Sequence, residues 1–90
     1  MNPKENIKEL RKKIDDIDDK IIDLFMNRFS HAKEIGDIKS KNKLAILDAT
    51  RERDIIDRLN IEEERLDRAD IKALYKPIFS ISRQLQEKEK

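Results

Sequence analysis

Arg28 and His31 stand inside an apolar stripe that runs through Ile7, Leu10, Ile14, Ile17, Ile21 and Leu24 and resumes at Ile35 and Ile38. A charge buried there without a partner would cost several kcal/mol, so Arg28 calls for an anion nearby. On an ideal helix Lys39 lies about 20° around the axis from Arg28 and roughly 16 Å along it. Two long cationic side chains on one face can lean toward a ligand held between them. Arg11 is about 100° away from Arg28 and roughly 25 Å before it. It cannot serve the same ligand within its own chain, but in an antiparallel or crossed dimer it can reach the site of a second copy. The competing reading is ordinary pairing with the 20 Asp and Glu residues, worth ~0–1 kcal/mol per exposed pair. His31 at such a position is more commonly a satisfied core or seam residue than a catalyst. The acidic run IDDIDDK, Ile14 to Lys20, spreads its carboxylates over several helix faces, which fits a solvated flank better than a metal site.

These residues need a long helix to carry them. The stripe has a helical period and extends to about Ser40, some 35 residues or roughly 50 Å. Asn2-Pro3 with Glu5, or alternatively Asn6 with Glu9, can cap its start. A second stripe, Ile22, Phe25, Phe29 and Ala32, predicts burial on two sides. Gly36 is costly in a helix interior; it marks either a close approach by another backbone or a tolerated weak point. The run from Lys41 to Leu47 breaks the pattern, and Asp48 then caps a second helix over about 49–60 through Ile55, Ile56 and Leu59. The charged run Asn60 to Arg65 ends it. Asp67 and Asp70 can cap a third helix, about 68–88, with an apolar face at Ile71, Leu74, Ile78, Ile81 and Leu85. Pro77 inside that helix predicts a kink or bend.

Composition agrees with an all-α chain: 46% charged, 37% hydrophobic, one glycine, two prolines and no valine or cysteine. The lack of thiols removes disulfides and thiolate metal sites. With 21 basic against 20 acidic residues, interspersed, nucleic-acid binding is not expected. The N-terminus MNPKENIKEL alternates charge with apolar residues, so neither a leader nor a membrane span is expected, and the chain reads as cytoplasmic. One long and two shorter helices in 90 residues leave faces of the long rod uncovered, which pairing across a two-fold axis would cover.

The run LRKKIDDIDDKIIDLFMNRFSHAKEIGDIK, Leu10 to Lys39, resembles the opening helix of the all-α chorismate mutases, whose pattern is close to LRxxIDxIDxxLLxLxxxRxxxAxxIGxxK. The resemblance continues at Asp48, Arg51 and Glu52 and in IFSISRQLQ, which supplies Ser82 and Gln86. It implies one chorismate mutase domain, residues 1–90, in an intertwined helical homodimer. It also implies a cofactor-free Claisen rearrangement of chorismate to prephenate, in phenylalanine and tyrosine biosynthesis. Each site would be built within one subunit and completed by the partner's Arg11. By the same resemblance Arg28 and that arginine hold carboxylates, with Ser82 assisting. Lys39 and Gln86 hydrogen-bond the ether oxygen, Asp48 and Glu52 face the ring hydroxyl, and Arg51 helps to position substrate. The family pattern departs at the short, glycine-free link between the second and third helices and at Pro77, whose kink would misplace Gln86 if it swung the last turns outward. Beyond Gln86 the chain shows no amino-acid-sensing region, so feedback control within it is not expected. Two rivals remain: an isochorismate pyruvate-lyase, which shares the frame and much of the cationic pocket, and a non-catalytic helical dimerisation module.

Overall fold

The computed structural model describes residues 2–62 and 64–87, and within them the chain is three helices: α1 (Pro3–Lys41), α2 (Ala49–Glu62) and α3 (Arg68–Glu87). One long and two shorter helices are what the periodicity predicts. Residue 88, the expected end of the third helix, and residue 63 of the charged run lie outside the described residues. No described helix is long and apolar enough to cross a membrane.

Each helix start is closed by a side chain. Asn2 Oδ1 accepts from the Glu5 N–H at 2.9 Å, which selects the first of the two possible caps and puts Pro3 at the first helical position, where its missing N–H costs nothing. Asp48 Oδ1 accepts from the Arg51 N–H at 2.9 Å. Asp67 and Asp70 cap α3 reciprocally: Asp67 Oδ1 accepts from Asp70 N at 2.9 Å, and Asp70 Oδ2 from Asp67 N at 3.4 Å. α1 ends with Lys43 in the left-handed region (φ 56°), Leu44 N–H bonded to Lys39 O and Lys43 N–H to Ser40 O. Glycine usually takes that place in this terminating motif; here lysine does.

Two compact units divide the chain, residues 1–30 and 31–90. The first is the N-terminal three-quarters of α1. Its stripe is uncovered: Ile7, Leu10, Ile14, Ile17, Ile21 and Leu24 are all exposed, Leu24 at 65%. Of the second stripe, Ile22 is exposed, whereas Phe25 and Phe29 are half-buried with rings stacked 6.1 Å apart.

The second unit holds the core. Ile55 and Ile56 of α2 pack with Ile71 and Phe79 of α3, flanked by Leu59 and Tyr75. The Tyr75 and Phe79 rings are tilted, with centroids 5.5 Å apart. The buried face of α3 differs from the expected one. Ile71 and Ile78 are buried, but Leu74 and Ile81 are exposed, and the face continues through Phe79, Ser82 and Gln86. The reason is that α3 has two apolar stripes, and the one its own chain covers is the one that carries the two polar groups. α3 runs unbroken through Pro77, and its last turns stay in: Gln86 is 8% exposed.

Candidate functional site

The second unit contains six of the eight predicted site residues. Gly36 of α1 and Gln86 of α3 stand close against each other in it. A Cβ at position 36 would stand 2.6 Å from Gln86 Cα and 2.9 Å from its Cβ, so only glycine lets the two helices come this close. Of the two readings open from sequence, close approach is the one realised. Lys39 follows Gly36 by three residues and Ser82 precedes Gln86 by four, so each lies one turn from the contact on its own helix.

Gln86 is buried and its Oε1 has no hydrogen-bond partner among the described residues. Leaving a buried polar atom unsatisfied costs roughly 1–3 kcal/mol, a penalty that a bound ligand would relieve. Rotating the amide exchanges acceptor for donor, so the group can serve either need. Ser82, also buried, donates its hydroxyl to Ile78 O at 2.8 Å. To assist a carboxylate it must turn that proton away from its own helix. Lys39 is half-buried, and its Nζ donates to Ile46 O at 3.0 Å, which ties the ammonium to the loop after α1 and leaves two of its three donors.

Glu52 is half-buried on α2 and meets Arg83 of α3, Nη1 to Oε2 2.5 Å. It lines a groove of about 650 Å³ between α2 and α3, with Ile56, Phe79 and Arg83 among its walls and Arg53, Arg68, Lys72 and Lys76 adding positive charge. Of the predicted site residues only Glu52 lines this groove. Asp48 and Arg51 are exposed and joined by the cap, so one Asp48 oxygen is already engaged.

In the first unit Arg28 is half-buried and Arg11 exposed. His31, at the start of the second, is not a core residue of its own chain: its side chain is 76% exposed, and its imidazole lies 3.9 Å from Glu34. The described residues hold no cluster of three metal-ligating side chains, and the IDDIDDK acids are all exposed.

Sequence reasoning missed Arg83. Its pairing with Glu52, 31 residues away, follows only from how α2 and α3 pack. Arg68, Lys72 and Lys76 line the same groove from α3, so no signal in the sequence singles Arg83 out among these cations.

A family model described as chorismate mutase type II matches residues 10–87, a stretch that includes all eight candidate residues. Over 55 residues, 61% of this chain, the sequence is 49% identical to a bifunctional chorismate mutase/prephenate dehydratase of Aquifex aeolicus and 46% identical to a chorismate mutase of Methanocaldococcus jannaschii. The match spans 15% of the first protein and 56% of the second.

Proposed function

The chain belongs to the type II chorismate mutase family, and from that premise we propose that it rearranges chorismate to prephenate as a cytoplasmic homodimer, without a cofactor or covalent intermediate. The observation that carries this reading is the buried Gln86 amide, short of a hydrogen bond and clamped on Gly36 one turn from Lys39.

Chorismate carries two carboxylates, a ring hydroxyl and an ether oxygen that gains negative charge as its bond to the ring breaks. Arg28 and the partner's Arg11 hold the carboxylates and fold the enolpyruvyl arm over the ring in a near-attack pose. Lys39 and Gln86 donate to the ether oxygen, where charge is greatest in the transition state, so their contribution lowers the barrier rather than only binding substrate. Glu52 and Asp48 accept from the ring hydroxyl, Ser82 assists at a carboxylate, and Arg51 adds positive charge beside the cap. The uncovered Ile7–Leu24 stripe supports the dimer, since stripes of this size on a single chain mark an interface.

The test is the fall in chorismate absorbance with purified protein, with products identified. Saturable conversion to prephenate supports the assignment. Salicylate and pyruvate from isochorismate would move it to the lyase, and a folded dimer that converts neither substrate would leave a dimerisation module.

A further inference from the structure

Among the described residues Arg68–Asp57 and Arg83–Glu52 are ion pairs that join α2 to α3, and they are not alike. Arg68 and Asp57 lie 2.5 Å apart with side chains 45% and 47% exposed, an open clasp largely screened by water. Arg83 and Glu52 are equally close but only 34% and 26% exposed. The inner pair also sits beside the candidate site: Arg83 follows Ser82 directly and precedes Gln86 by one turn, while Glu52 is one of the residues assigned to substrate.

Resting on the proposed mutase activity, we propose that Arg83 is a positioning residue for Glu52. A glutamate has three rotatable bonds, and freezing them when substrate arrives would weaken binding. Arg83 bonds Oε2 in the free protein and leaves Oε1 to accept from the ring hydroxyl. A guanidinium presents a planar fork of donors, so it fixes the carboxylate in direction as well as charge. The hydroxyl is not the reacting bond, so Glu52 binds ground and transition states alike. Loss of its positioning falls on KM.

The experiment compares kcat and KM for chorismate in wild type, Arg83→Met, Arg83→Lys, Glu52→Gln and the Glu52→Gln/Arg83→Met double variant, with thermal melts of each. Methionine keeps the packing stem without the charge. The expected result is a KM raised about tenfold in Arg83→Met with kcat within about threefold, partial recovery in Arg83→Lys, and little added effect in the double variant. An unchanged KM with a lowered melting point overturns the proposal and leaves a structural pin. An equal effect with or without Glu52 also overturns it, because Arg83 then acts on substrate directly. An inactive wild type would instead remove the mutase reading itself.

Discussion

Lys39 and Gln86 are the side chains whose proposed roles separate most sharply in kinetics. Losing one preorganised donor to developing charge lowers turnover by on the order of a thousandfold at most, and Lys39→Ala should fall by about that much in kcat with a smaller change in KM. A variant turning over at near the wild-type rate would remove Lys39 from the mechanism. In the proposed role Gln86 donates from a neutral amide, so activity should persist from neutral to mildly alkaline pH. In Gln86→Glu the side chain donates only when protonated; model glutamates titrate near ~4.3, so that variant should be poor at neutral pH and gain rate as pH falls toward the acid range. A flat pH profile in Gln86→Glu would mean the position does not donate to substrate. His31, exposed beside Glu34, shares the exposure of the stripe residues around it.

At the level of the helices, Gly36 decides whether α1 and α3 meet. Alanine there would gain about 1 kcal/mol in helix propensity. Its Cβ, however, would lie 2.6 Å from a backbone atom of Gln86, and backbone cannot rotate aside as a side-chain tip can. Overpacking of this kind costs typically ~1–3 kcal/mol. The clash wins, so Gly36→Ala should lower the melting temperature and, by shifting Gln86, reduce kcat by up to about a hundredfold. Equal stability and rate in that variant would show that the contact is loose in solution. The sequence predicts a bend at Pro77, yet α3 runs unbroken through it and Ser82 and Gln86 remain buried beyond it.

The whole molecule is short of a core. Among the described residues six apolar ones are buried, Ile71 most deeply at 3%, while sixteen large hydrophobics remain exposed. A chain of this size is marginal on its own, so its stability should rise with protein concentration, as for any fold completed by a second copy. Ile17→Asp, placing a charge in the stripe, should give monomers by sedimentation velocity and lose activity with them. An active monomer would refute the shared site. Mixing Arg11→Ala with Arg28→Ala subunits should restore about a quarter of wild-type activity per dimer, if each site takes one arginine from each chain and mixed dimers form at random, half of all dimers with one intact site each.

Helix number, order and caps were legible along the chain because they depend on neighbours within a turn or two: Asn2, Asp48 and the Asp67–Asp70 pair each act on backbone three residues away. The family motif was legible for the same reason, its longest run lying on one helix. The buried face of α3 was not, since two apolar stripes compete there and only packing against α2 and Gly36 selects the one bearing Ser82 and Gln86. Gly36 could be read as a choice between a close approach and a weak point; which it is depends on what stands opposite. The Glu52–Arg83 pair was illegible altogether. It joins residues on different helices, and only the docking of those helices brings the two charges together.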